Sequence, residues 1–279
     1  MSKTHRISNP FIRNALSFLL SFLLFVSVSV WSVTTVFFAY LWNPDSYLSA
    51  MERTGYYEQA YAHMEENLFD LTIPFGYEEY VVNGLISLEQ LRTDIQGGVR
   101  AALAGNSFEP DTAEISAILE SRLNKASSSA ADQALAEEYE ELVIAEYERT
   151  VNVSYLKYLG TVQQVMSKYY WLSAALFLLL AAGAAVGLFL IRTWRHIAMR
   201  FIAYALLSEA VILLLLPAAV LLGNFYGRLN LSPAYYLAFI KSFADKLTWL
   251  FLLCGFFWGL LASGSLWATG YFKRKEFRK

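Results

Sequence analysis

Glu209 is the one acidic residue set inside a long apolar run of this chain. A charge in hydrocarbon costs at least about 3 kcal/mol, so such a side chain must face protein or water and not lipid. Two uses of it stay open on the sequence. The carboxyl handles protons or cations, or pairs with a charge on another subunit; or it is a protonated structural group bonded to a nearby serine or backbone carbonyl. Pro217, two turns further on, frees backbone groups that a ligand could use. Other chemistry is sparse. The three histidines, His5, His63 and His196, stand in no metal-binding spacing, and the chain carries no GxSxG, no phosphate loop and no CxxC. The expectation is therefore a protein that is not an enzyme, with no cofactor and no metal. The acidic stretch of Glu137, Glu138, Glu140, Glu141, Glu146 and Glu148 reads as a solvated helix face, and residues 152–154 match a glycosylation sequon.

Small residues form a second pattern. Gly183 and Gly187 make a GxxxG pair, and Gly255, Gly259 and Ser263 make a similar ridge. Such ridges let helix backbones approach closely, within a bundle or between copies.

The elements that must position these residues follow from composition. With 56% hydrophobic and 16% charged residues the chain departs from soluble usage. About 20 apolar residues span a bilayer core, and four runs qualify: 15–40, closed by Leu41 and Trp42, then 171–191, 201–222 and 247–268. The first is expected to be an uncleaved signal anchor. Lys and Arg collect before the first span (Lys3, Arg6, Arg13), between the second and third (Arg192, Arg195, Arg200) and after the fourth (Lys273, Arg274, Lys275, Arg278, Lys279). Basic flanks resist translocation, which predicts both termini in the cytoplasm of a multi-pass plasma-membrane protein. Tyr40, Trp42, Trp171, Trp194, Trp249, Trp267 and Tyr271 mark the interfaces.

Between the first two spans, residues 43–170 hold 21 of the 24 acids and 8 of the 22 basic residues, a net charge of −13. The single cysteine, Cys254, lies in an apolar run, so packing and not disulfides must hold this region. Its periodicity is helical throughout. Tyr57, Tyr61, Met64, Leu68 and Leu71 share a face, and a turn with Pro74 and Gly76 is expected at 72–76. Ser87 and Gln90 form a capping box before Leu88, Leu91, Ile95, Val99 and Leu103. A loop at 105–110 precedes a shorter helix capped by Asp111 or Thr112, and serines in 125–131 predict a flexible connection. From Asp132 one helix is expected to run unbroken into the second span. Residues 223–246 are expected to be an outer loop with a short interfacial helix, and 269–279 a basic tail resting on anionic lipid.

The fold class is thus an all-α membrane protein, four transmembrane helices with a large helical extracytoplasmic domain inserted between the first and second. This topology is similar to that of the membrane subunit of the bacterial cell-division ABC system. The link 192–200 departs from the longer cytoplasmic coupling region of such a permease, and the resemblance implies no site residues here. The function expected is that of a non-catalytic envelope sensor, scaffold or accessory subunit with a protein partner or a second copy of itself, and no nucleic acid. A permease subunit using Glu209 and a membrane enzyme are the alternatives.

Overall fold

A computed structural model describes residues 10–126, 130–223, 225 and 233–277. Of the expected basic flanks, Lys3, Arg6, Arg278 and Lys279 lie outside these residues, as do the serines 127–129. The fold is 89% helix with no strand among the described residues. In chain order the helices are α1 (Pro10–Val36), continued by a π turn (Phe37–Leu41), α2 (Pro44–Thr54), α3 (Tyr56–Phe75), α4 (Leu88–Leu103), α5 (Ala113–Ala126), α6 (Ala130–Val151), α7 (Ser154–Ile191), α8 (Arg195–Leu222) and α9 (Ala234–Phe277). Four are long and apolar enough to cross a membrane: Pro10–Leu41, Tyr158–Ile191, Arg195–Leu222 and Ala234–Glu276. At 1.5 Å per residue the 43 residues of the last extend roughly 65 Å, about twice a bilayer core.

The chain divides into two compact units. An apolar unit comprises Met1–Leu41, Ser167–Arg228 and Ala244–Lys279; an acidic unit comprises Trp42–Met166 and Leu229–Phe243.

In the apolar unit, Leu24 and Val28 of α1, Ala184 of α7, Ala205, Leu206, Ala210 and Leu213 of α8, and Trp258 and Ala262 of α9 form one buried cluster. Small residues admit the contacts. A β-carbon on Gly255 would sit 3.0 Å from the Leu213 backbone, Gly259 faces Ala210, and Gly187 faces Leu20. Gly183, its GxxxG partner, is exposed and opens on empty space, and Ser263 bonds back to the Gly259 carbonyl of its own helix. At the other end of α8, Glu276 accepts a hydrogen bond from the Arg195 amide (2.9 Å) and pairs with His196. A carboxylate from α9 thereby satisfies a helix N-terminus that Trp194 does not cap with its side chain.

The acidic unit is a layered helical core. Tyr47, Tyr56, Tyr57, Met64 and Leu68 from α2 and α3 are buried, as are Leu91, Ile95, Val99 and Leu103 from α4, Ile115, Leu119 and Leu123 from α5, and Tyr139, Val143, Tyr147 and Val151 from α6. The Ser87 side chain accepts from the Gln90 amide at 3.1 Å, the expected cap. The Asp111 carboxylate accepts from the Ala113 amide at 3.1 Å.

Four expectations are corrected. The turn at 72–76 begins later: α3 runs through Pro74 to Phe75 and stops at Gly76, whose φ of 71° glycine adopts without steric cost. The helix from Asp132 is not continuous, because 152 and 153 break it between α6 and α7. Asn152 opens the break, a residue type that competes with helix through its own side chain. Apolar periodicity concealed it: Tyr139, Val143, Tyr147 and Val151 are buried, whereas Tyr158, Val162 and Val165 continue the same spacing yet are exposed. The link between the second and third spanning helices is three residues, 192–194, and Arg195 and Arg200 lie within α8. Residues 234–246 do not form a separate short helix; they open α9, which runs on to Phe277, since neither proline nor glycine interrupts them.

Candidate functional site

Glu209 lies on the face of α8 that carries Ala205, Leu206, Ala210 and Leu213, and its side chain is fully enclosed. The facing helix is α1, an apolar helix punctuated by hydroxyls. Ser29 donates to Glu209 Oε2, and Ser32 sits beside the carboxyl. Ser32 also accepts the indole N–H of Trp258 at 2.8 Å, which brings α9 into the same network. Trp258 meets Trp31 edge-on with ring centroids 6.2 Å apart. Cys254, one turn before Trp258, packs on the same cluster. No cation forms an ion pair with Glu209 among the described residues, and its second oxygen, Oε1, makes no hydrogen bond.

The remaining serines of α1 extend the pattern. Ser21 donates to the Phe201 carbonyl at 2.9 Å, and Ser17 receives the Arg192 Nε–H at 2.8 Å. Ser17, Ser21, Ser29 and Ser32 are spaced by four, eight and three residues, one face of a helix. Each joins α1 to the chain around α8 or to α9. The row is missed when the single acid alone is weighed; its signal in the sequence is that four of the seven hydroxyl residues of α1 share one helical face. Comparison with protein-family models, characterised proteins and solved structures finds no match.

Among the predicted packing residues, Gly255 and Gly259 lie against α8 on the face that holds Glu209. Gly187 lies against α1, and Gly183 and Ser263 lie away from these contacts. His63 pairs with Glu66 at 3.7 Å on the surface of α3. No group of three or more metal-ligating side chains occurs among the described residues.

The acidic unit offers a different surface. Glu65, Glu66 and Glu79 rim a cavity of about 320 Å³ whose apolar wall includes Phe69. Ile73 and Tyr80 are exposed, while Phe75 and Tyr77 pack on the buried ring of Tyr139, with centroids 5.2 and 4.9 Å away. This segment thus lies partly on the core and partly exposed. Arg122 of α5 donates to the carbonyls of Tyr80, Val81 and Asn83, at 3.1, 3.0 and 2.9 Å, and holds this rim in place.

Proposed function

We propose that this chain is a non-catalytic, multi-pass scaffold or accessory subunit of a bacterial-type envelope, with both termini in the cytoplasm and the acidic unit outside. The observation that carries the reading is the enclosure of Glu209. A carboxyl used for ion transfer needs a route for the ion, whereas this one is bonded to Ser29, walled by the buried cluster and wholly inaccessible in the single chain. Its evident work is to fix α1 on α8. The acidic unit carries the interaction: its negative surface and the rim of Glu65, Glu66, Glu79, Phe69 and Tyr80 suit a basic protein surface with an apolar side chain at its centre. The exposed Lys273, Arg274 and Lys275 at the end of α9 rest on anionic lipid.

The alternative of a permease subunit is favoured by the unpartnered Oε1 and by Pro217, which lies inside α8 two turns beyond the carboxyl. Proteoliposomes holding the full chain and a pH-sensitive dye separate the two. The scaffold reading expects an imposed proton or sodium gradient to decay as in empty vesicles. Decay that is accelerated by the protein and abolished by Glu209→Gln would replace it with the permease reading.

A further inference from the structure

A groove of about 300 Å³ runs along the apolar unit between α1 and α8, lined by Phe18, Phe22 and Phe25 on one side and by Phe201, Tyr204 and Ser208 on the other. Phe18, Phe22 and Tyr204 are exposed, so the groove opens outward from the helix pair. Two of its aromatic walls carry guanidinium groups. Arg192 lies over the Phe201 ring, 4.9 Å from its centroid, and Arg200 donates to the Tyr204 hydroxyl at 3.0 Å.

Arg13 stands one turn before Ser17, the residue that holds Arg192, and its Nε is buried without a hydrogen-bond partner. Burial first, and then the Arg13 charge, lower the pKa of Arg192. Like charges gathered this way call for an anion, yet none of the three arginines pairs with a carboxylate among the described residues.

We propose that this groove is a binding site for an anionic phospholipid, with an acyl chain along the phenylalanines and the headgroup phosphate held by Arg192 and Arg200, with Arg13 adding its charge. Guanidinium forks match phosphate oxygens, and the rings that Arg192 and Arg200 contact, Phe201 and Tyr204, are walls of the groove. A free phosphate would satisfy the arginines and leave the apolar groove unused. The lipid satisfies both features.

The test uses the full chain, purified in a neutral detergent and offered phosphatidylglycerol or phosphatidylcholine, with bound lipid counted by native mass spectrometry. Retained phosphatidylglycerol should exceed phosphatidylcholine, and Arg192→Gln with Arg200→Gln should cut that preference by roughly tenfold or more. Arg149→Gln, which removes an exposed arginine of the acidic unit, should leave it in place. Ser208→Leu, which fills the groove and keeps both arginines, should also lower retention. It serves as the decisive variant if the double arginine change prevents folding. Equal retention of the two lipids by the parent, an unchanged preference in the folded groove or arginine variants, or displacement of the lipid by inorganic phosphate alone would overturn the proposal.

Discussion

The two units place polar groups in opposite ways. In the acidic unit long side chains reach across helices at the edge of a tyrosine-rich core: Tyr147 donates to Asp94, Asn67 to Glu146 at 2.6 Å, and Arg92 pairs with Glu58 at 2.9 Å and Glu52 at 3.8 Å. In the apolar unit the polar links of α1 to its neighbours run through short hydroxyls on one helix, Ser17, Ser21, Ser29 and Ser32. Where water drives apolar surface inward, burial itself decides which faces meet, and polar bonds finish the rim. Where the surroundings are as apolar as the core, burial sorts nothing, and close backbone approach with interhelical hydrogen bonds must select the partner face. The serine row of α1 and the Gly255 and Gly259 contacts of α9 are that selection.

The comparison breaks most readily at Gly160, in the acidic unit. A β-carbon there would lie 1.8 Å from the Ala102 carbonyl oxygen, a backbone atom that cannot move aside as a side chain would. Gly160→Ala should destabilise the acidic unit by about 3 kcal/mol or more, seen as a lowered thermal midpoint of the full chain in detergent. An unchanged midpoint would mean that α7 does not close on α4 as described. A smaller loss, about 1.5 kcal/mol, is expected from Tyr147→Phe, which leaves Asp94 without its phenol donor.

Ser87→Ala should cost about 1 kcal/mol through the lost cap on α4, and Ser87→Asp should restore most of it. The least loss is expected in the apolar unit. Ser32→Ala removes the hydroxyl that accepts the Trp258 indole N–H with little change in packed volume, and bonds of this kind between membrane helices average about 0.6 kcal/mol. A loss larger than that of Tyr147→Phe would reverse the contrast drawn here.

Alkali sharpens the same contrast. Burial raises the pKa of Tyr57, Tyr139 and Tyr147, and burial with the neighbouring Glu65 carboxylate pushes Tyr61 up to about 12. Below the unfolded value of about 10 both states keep the phenol proton, and the contribution is fully present. Above it the unfolded chain releases protons that the fold retains, so stability falls as pH rises from about 10 toward 12. In a pH titration the exposed tyrosines, Tyr80 and Tyr158 among them, ionise first with helicity intact, and a further rise in phenolate absorbance should coincide with loss of helicity. Full ionisation of all 18 tyrosines with helicity intact would show the buried rings to be open to solvent.

Much of this was legible in the sequence because helical periodicity and span length are local signals. The α4 face, its Ser87 cap and the four spanning runs came from spacing alone. The break at 152 and 153 did not, because α6 and α7 keep an apolar step of three or four across it, and only burial distinguishes the inward row of Tyr139 from the outward row of Tyr158. Glu209 was conspicuous by its charge. Its partners were not, since serine in a membrane helix is unremarkable until four of them share a face and meet the other helices.

The claim on which the account rests is that Glu209 is closed off. A hydrophobic carbodiimide, which attaches to carboxyls it can reach from lipid or from a water-filled cavity, tests this in the intact protein followed by peptide mass spectrometry. The account predicts that Glu209 stays unmodified while the chain is folded and becomes modified once it is unfolded. Rapid modification of Glu209 in the folded chain, slowed when sodium is supplied, would contradict it.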